Sequence, residues 1–283
     1  MLEALSDALR SPVALLYAAA LAGSGFLIGG EALWGWLRRP GLYGRADTLA
    51  NAGMWLGYVL LNVLWAGVVF SAYSAAYERA PVRLSVGGWH VGLALWWEWL
   101  LLFVLDDLCF YGFHRASHRC RFLWASHVNH HSSRHFNLSV AFRQTWTPFF
   151  AFVFWLPLPL LGFDPLMVLS MQALSLFYQS LLHTQLVESL GPLEWVLNTP
   201  THHRVHHGSN PEYVDKNFGG VLIVWDRLFG TFAAERPEAP IRFGLHEDLG
   251  SHNPLWIAVH EWVALGRALA APGSLRERLG RLF

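Results

Sequence analysis

Residues 114–131 have the sequence HRASHRCRFLWASHVNHH, in which the histidines follow helical spacing. His114 and His118 are four residues apart, and residues 127–131 form the pattern H-x-x-H-H, which recurs at residues 203–207. Side chains at positions i, i+3 and i+4 share one face of a helix, so each cluster can direct two or three imidazoles towards one point. Three clusters with this spacing are difficult to explain without bound metal, because imidazole is a common metal ligand.

The number of clustered histidines favours two metal ions over one. A structural zinc site is satisfied by four ligands, whereas these clusters supply eight. Cys109 and Cys120 form no C-x-x-C pattern, so we expect two buried thiols that bind no metal. His202 adjoins the last cluster but points about 100° away from His203 on a helix, and it is a possible additional ligand. The eight candidate ligands are His114, His118, His127, His130, His131, His203, His206 and His207.

Composition indicates an integral membrane protein. Of the 283 residues, 54% are hydrophobic and 14% are charged, whereas a soluble domain carries about 25% charged residues. The net charge is zero and no basic patch is present, so nucleic acid is not an expected partner. Spanning a bilayer takes roughly 20 apolar residues. The candidate segments are residues 12–28, 50–72 and 89–105, with two shorter, proline-interrupted segments at 146–163 and 166–182.

These segments predict an all-α fold with about four to five membrane-embedded helices and a helical cap that carries the histidines. We divide the single structural domain into N-terminal transmembrane helices (1–105), a histidine-bearing region (106–253) that includes a membrane hairpin (146–182), and a C-terminal interfacial tail (254–283). Arg38, Arg39 and Arg45 follow the first span, which favours a cytoplasmic position for that loop and for the histidines.

Imidazole ligands are neutral, so two bound metal ions would leave a strongly positive centre. We therefore expect nearby polar or acidic side chains that bind the outer nitrogens of the imidazoles and orient the rings. Asp107 lies seven residues before His114, two helical turns away on the same face. Tyr111, Asn137 and Asp226 are the other candidates. For Asp107, an aspartate that merely marks the membrane boundary is an equally good interpretation.

The pattern of the histidines resembles the fatty acid hydroxylase/sterol desaturase superfamily of integral-membrane, non-haem di-iron enzymes. The resemblance covers roughly residues 107–232. The three histidine clusters correspond to the superfamily's three histidine boxes, and we call them the first, second and third box. The superfamily also has a histidine before the third box, which is His183 here. Within the superfamily, the motifs at residues 130–133, 137–139, 143–144 and 204–208 are most similar to the alkylglycerol monooxygenase branch. Arg119 differs, because it stands where eukaryotic members of that branch carry an acidic residue.

The resemblance implies O2-dependent hydroxylation, or desaturation, of a C–H bond in a lipid such as an alkylglycerol, a fatty acyl chain or a sterol-like molecule. It implies two iron ions held by the boxes and His183. The reductant would be a tetrahydropterin, another external donor or an electron-donor protein. The expected location is the bilayer of a bacterial inner membrane, with the active site facing the cytoplasm.

Two alternatives from other classes stay open. A membrane metal transporter would place its sites near mid-membrane on spanning helices, whereas these histidines lie in polar segments beside the spans. A zinc-dependent membrane hydrolase would need an open three-ligand site with a general-base carboxylate, and the chain has no H-E-x-x-H motif.

Overall fold

A computed structural model describes residues 12–84 and 96–282 of the chain. Within these ranges the fold is all-α, as predicted, and its only strand-like pairings are two isolated bridges. We number the helices α1 (Pro12–Arg38), α2 (Arg45–Glu78), α3 (Trp96–Arg119), α4 (Arg121–His131), α5 (Pro157–Leu160), α6 (Pro165–Ser180), α7 (Pro200–His206), α8 (Val224–Phe229), α9 (Pro254–Ala270) and α10 (Leu275–Gly280). Short 3-10 helices occur at Leu138–Phe142, Ala151–Trp155 and Gly191–Trp195.

Helix α2 is the described helix whose length and composition suit a membrane span. It has 34 residues, and its most apolar part has a mean hydropathy of 1.7. Its apolar side chains face outward: Leu60 is 61% exposed, Val63 71% and Leu64 76%. A soluble core helix would bury such residues. Part of the third predicted span, residues 89–95, lies outside the described residues.

The segment predicted as a membrane hairpin, residues 146–182, is broken into short pieces. A 3-10 helix at Ala151–Trp155 leads into α5, which has four residues, and a turn at residues 161–164 precedes α6, which has 16. Prolines account for the breaks, because each lacks the backbone N–H that would continue a helix. The side chain of Asp164 caps α6 by accepting from the backbone N–H of Leu166 at 2.8 Å.

A hydrophobic core joins this broken hairpin to α2 and α3. Tyr73 of α2 and Leu102 of α3 pack with residues of the hairpin, which are Trp155, Leu158, Phe163, Met167, Val168 and Met171. This core lies at the N-terminal part of α3, and His114 and His118 lie at the C-terminal end of the same helix. Helix α4 starts directly after α3 and packs against it, so the first two histidine clusters meet at one corner of the fold.

The tail forms helices α9 and α10. Helix α9 packs against α4 and α2, burying Ile257 and Ala258. Leu255 and Trp256, on its other side, are 63% and 39% exposed. Helix α9 is therefore amphipathic, and its buried face packs against α4 and α2.

Candidate metal centre

The structure brings all nine predicted ligands together in two adjoining groups. The five-histidine group contains His114, His118, His127, His131 and His206. The four-histidine group contains His130, His183, His203 and His207. Within each group the candidate ligand nitrogens lie within 4.8 Å of one another. The groups touch, because the rings of His131 and His207 stack with their centroids 4.4 Å apart.

The two H-x-x-H-H boxes each contribute to both groups. In the second box, His127 and His131 belong to the five-histidine group, and His130 belongs to the other. In the third box the division is reversed, since His203 and His207 join the four-histidine group while His206 crosses to the five-histidine group. Side chains four residues apart on a helix lie one above the other, and the one between them is rotated towards the neighbouring group.

Helix ends position the boxes. His114 and His118 occupy the last turns of α3, and the second box occupies the last turns of α4, which ends at His131. The third box lies on α7, a short helix that begins with Pro200, a residue pre-organised for the first helical position. Because α4 begins directly after α3, the first two boxes are close in the chain, whereas the third box is brought to them by the fold.

The inward nitrogens are spaced as ligands of a shared ion. The Nε2 atoms of His114 and His127 lie 3.1 Å apart, as do those of His127 and His131. In the other group, Nε2 of His183 lies 3.1 Å from that of His130 and 3.0 Å from that of His203. Metal–imidazole bonds of about 2.1 Å at right angles place two nitrogens about 3.0 Å apart.

In three of the rings, a hydrogen bond at the outer nitrogen leaves the inward nitrogen with a free lone pair. Nδ1 of His114 lies 2.8 Å from the carbonyl oxygen of Phe218, and a carbonyl accepts only from a protonated nitrogen. Nδ1 of His206 lies 2.9 Å from the carbonyl of Lys216, and Nδ1 of His183 lies 3.0 Å from that of Gln179. In the neutral ring Nε2 is then unprotonated, so these three rings offer lone pairs to the centre.

Two inward nitrogens have no protein partner at all. Nε2 of His118 and Nε2 of His206 are buried, and neither makes a hydrogen bond within the described residues. A buried polar atom without a partner is costly. A metal ion would satisfy both atoms, so the residues of the five-histidine group fit a bound metal.

Burial keeps the imidazoles neutral, which is the form that binds metal. Desolvation lowers the pKa of His114 to about 4, and a hydrogen bond to the Phe218 carbonyl opposes it only in part. The pKa of His183 is also lowered to about 4, again chiefly by desolvation. For His127, His131 and His207, desolvation comes first and neighbouring imidazoles add to it, so each pKa falls well below its usual value.

The carboxylates expected to orient imidazoles bind backbone amides instead. Asp107 accepts from the N–H groups of Val221 and Leu222 at 2.6 and 2.9 Å, and from the indole N–H of Trp225 at 2.9 Å. Desolvation raises the pKa of Asp107 to about 6, with the three hydrogen bonds opposing it. Its position on the histidine face of α3 is correct, but its function is to hold the 221–225 loop against that helix.

Asp226 acts on the centre through one peptide group. Its carboxylate accepts from the backbone N–H groups of Phe218 and Gly219 at 2.8 and 2.7 Å. The carbonyl of the same Phe218 accepts from His114. Asp226 therefore fixes the peptide that orients this imidazole and does not touch the ring.

The other two candidates for this role, Tyr111 and Asn137, also contact no imidazole through a hydrogen bond in the described residues. The hydroxyl of Tyr111 pairs with that of Thr231 at 3.0 Å. Asn137 caps the 3-10 helix at Leu138–Phe142 and donates to the Leu42 carbonyl at 2.9 Å. Both are buried scaffold residues.

A buried polar network lies behind the second box and behind His183. Arg143 forms an ion pair with Asp47 of α2 at 2.6 Å and donates to Ser132, the residue after His131, at 2.8 Å. Glu31 of α1 accepts from the hydroxyl of Thr184, the residue after His183. Sequence motifs pointed to residues 130–133 and 143–144, but the partners Asp47 and Glu31 have no local signal and were missed.

The other histidines of the described ranges stay outside both groups. His202 is buried against Phe232, with ring centroids 5.4 Å apart, and it is not among the converging nitrogens. His246 and His252 are exposed, and His260 bonds its own helix. Cys109 and Cys120 are free thiols, and both are partly exposed rather than buried as predicted.

Comparison with known proteins agrees with this geometry. Residues 99–231 match the fatty acid hydroxylase family. The chain is 34% identical to an alkylglycerol monooxygenase from Xenopus tropicalis over 88% of the chain and 54% of the relative. It is 40% identical to an alkylglycerol monooxygenase from Danio rerio over 80% of the chain and 49% of the relative. An ornithine lipid hydroxylase from Rhizobium tropici is 33% identical over 46% of the chain and 40% of the relative.

The chain spans about half the length of the two alkylglycerol monooxygenases. The matched region includes every histidine of the two groups. No solved structure is significantly similar to the chain.

Proposed function

The chain belongs to the fatty acid hydroxylase family, and from this premise we propose that it is a membrane-bound, non-haem di-iron oxygenase that hydroxylates a C–H bond of a lipid. One observation carries the proposal most directly. Nine imidazoles, six of them buried and three partly buried, form two adjoining groups whose inward nitrogens have ligand spacing. A single-metal site would need fewer than half of them.

With two irons bound, the centre would supply O2-dependent oxidation of an unactivated C–H bond. The overall reaction balances as one lipid C–H bond, one O2, two electrons and two protons giving one alcohol and one water. The electrons come from an external reductant, which we take to be a reduced pterin or an electron-donor protein. Soluble di-iron bundles use carboxylate ligands, so an all-imidazole set is a different class of site.

The protein's own residues hold and insulate the centre. The imidazoles of His114, His183 and His206 are fixed in one tautomer by backbone carbonyls. Burial keeps them neutral and excludes bulk water, which protects an oxidising centre from side reactions. No side chain needs to serve as nucleophile or general base. The ligand role of all nine histidines is part of this proposal, and His202 is not included.

We take the substrate to be a lipid with its reactive carbon near the polar head, such as an alkylglycerol. The two alkylglycerol monooxygenases support an ether lipid, and the bacterial ornithine lipid hydroxylase supports an amino-acid lipid. The outward-facing apolar side chains of α2 are consistent with a bilayer around the enzyme. Arg38, Arg39 and Arg45 favour a centre at the cytoplasmic face of a bacterial inner membrane.

The proposal is tested by supplying purified protein with isotopically labelled O2, a reductant and a panel of ether, acyl and ornithine lipids. We expect one lipid class to gain a labelled oxygen atom, and a His203→Ala variant to show no incorporation. Unlabelled product from all lipids, together with stoichiometric zinc in the protein, would favour a hydrolase and contradict the proposal. Metal uptake into vesicles without lipid oxidation would favour a transporter.

A further inference from the structure

Four consecutive residues, 215–218, contact three imidazoles of the five-histidine group. We call them the acceptor segment. The carbonyls of Lys216 and Phe218 accept from His206 and His114. The carboxylate of Asp215 approaches the third imidazole: its Oδ1 lies 3.8 Å from Nδ1 of His118. Three of the four residues of this short segment thus face three ligands of one metal position.

The backbone of this segment is strained so that these contacts form. Asp215 has φ 59° and Asn217 has φ 55°, and within the described part of the chain they are the two non-glycine residues with positive φ. Left-handed backbone is unfavourable for L-residues, although Asp and Asn tolerate it best. Strained residues persist where the surrounding structure fixes them.

Asn217 provides that fixation. Its side-chain amide donates to the carbonyl of His202 at 3.1 Å and to that of Ala233 at 2.7 Å, and its side-chain oxygen accepts from the N–H of Ala233 at 2.8 Å. It is fully buried. The acceptor segment is therefore tied to α7, the helix that carries the third box, and its position follows that of the box.

Asp215 differs from its neighbours because its contribution is a charge. A bound dication makes the outer N–H of an imidazole more positive, so a nearby carboxylate raises the basicity of the ligand and holds its ring. The distance of 3.8 Å is too long for a hydrogen bond, so the carboxylate acts on the His118 ring through its charge. The side chain is 31% exposed, which screens part of the attraction.

A second partner allows an alternative explanation for Asp215. Its Oδ2 lies 3.1 Å from the guanidinium of Arg119, whose side chain is 64% exposed. If the carboxylate served only this surface ion pair, it would have no effect on a metal. The two explanations therefore differ in what they predict for metal binding when Asp215 or Arg119 is replaced.

Resting on the proposed function, we propose that Asp215 is a positioning residue for His118, and that it strengthens metal binding at the five-histidine group. The four-histidine group has no comparable contact in the described residues. Asp215, and not Asp107, is the carboxylate that lies beside a ligand imidazole in the described residues.

The test compares iron release from the full chain in detergent, with a chelator, for the wild type and three variants. Asp215→Asn keeps a residue that tolerates left-handed backbone and removes only the charge. We expect it to release one of the two irons about tenfold faster, the lower end of the usual effect of such partners. Arg119→Ala should change release by less than about twofold. Asp248→Asn is the matched control, because Asp248 forms an exposed pair with Arg134 at 3.0 Å and contacts no ligand histidine.

Mössbauer spectra of the same proteins provide a readout that a general loss of structure would not produce. In Asp215→Asn, we expect the parameters of one iron to shift and those of the other to stay unchanged, with the same thermal midpoint. Equal release from Asp215→Asn and the wild type, or an equal effect of Arg119→Ala, would overturn the inference. A wild-type protein without iron would instead overturn the proposed function, and the inference with it.

Discussion

The five-histidine and four-histidine groups are built from the same boxes but are supported differently. In the five-histidine group, the outer nitrogens of His114 and His206 both bind carbonyls of the acceptor segment. In the four-histidine group, His183 binds the carbonyl of Gln179 in its own helix turn, while Nδ1 of His203 has no hydrogen-bond partner in the described residues. One group is held from outside by a loop, and the other is held mainly by the helices that carry it.

This difference indicates how two boxes of the same sequence pattern give two groups of imidazoles with unequal surroundings. The second and third boxes each supply histidines to both groups. A movement of α4 or α7 would therefore displace imidazoles in both groups. The unequal outer contacts then make them distinguishable. Variants that address one support at a time can therefore separate the groups.

The largest expected effect comes from removing a ligand from each group. His206→Ala and His203→Ala should both reduce lipid oxidation to background, because either position is required for the proposed chemistry. Each should lower bound iron, His206→Ala at the five-histidine group and His203→Ala at the other. Iron quantification and Mössbauer spectra check this. His252→Ala, at an exposed histidine, is the control and should retain activity and iron.

Retention of both irons and of activity in either ligand variant would break the comparison. Loss of iron in His252→Ala would show that the exposed histidines have been wrongly excluded.

Next in size is the loss of the buried ion pair beside the second box. Arg143→Met leaves the carboxylate of Asp47 buried without its cation, which costs about 3–5 kcal/mol of unfolding free energy. For a chain of this size that corresponds to a fall in Tm of roughly 10 °C. The matched control is Arg134→Met, whose exposed pair with Asp248 contributes at most about 1 kcal/mol. Thermal unfolding in detergent measures both, and equal midpoints would contradict the role of the network.

A smaller effect is expected at Asn217. Asn217→Gly keeps the left-handed backbone but loses the side-chain bonds to His202 and Ala233. Unpaired buried groups of this kind cost about 1–3 kcal/mol. The variant should loosen the acceptor segment and release iron preferentially from the five-histidine group. Iron release shared equally by both positions would show that the segment does not discriminate between them.

The smallest effect is expected at Glu31, which contacts the residue next to His183 of the four-histidine group. Its carboxylate accepts from the hydroxyls of Tyr43 and Thr184 and from the N–H of Leu138. Glu31→Gln replaces one accepting oxygen with a donor, so one of these contacts is lost at a cost of about 1 kcal/mol. Iron release should then favour the four-histidine group, where Thr184 follows His183. Release from the five-histidine group would reverse the assignment.

Much of the centre could be predicted from the sequence because helix geometry is local. The spacing of the boxes correctly indicated which imidazoles converge, and His183 came from the family pattern. The division into five and four could not be predicted, because it depends on contacts between residues far apart in the sequence, such as the stacked rings of His131 and His207.

The outer contacts of the imidazoles illustrate the same limit. The spacing placed Asp107 on the histidine face of α3, which is where it lies. What the spacing could not show is that the N–H groups of Val221 and Leu222 would take up its oxygens. Backbone carbonyls such as those of Lys216 and Phe218 carry no sequence signal, because every residue has one.

The central claim is that nine imidazoles hold two metal ions side by side, and metal analysis of anaerobically purified protein tests it most directly. Iron quantification against protein concentration, with X-ray absorption at the iron edge, should give about two irons per chain, both in imidazole surroundings. A single metal ion per chain, or zinc in place of iron, would contradict the account.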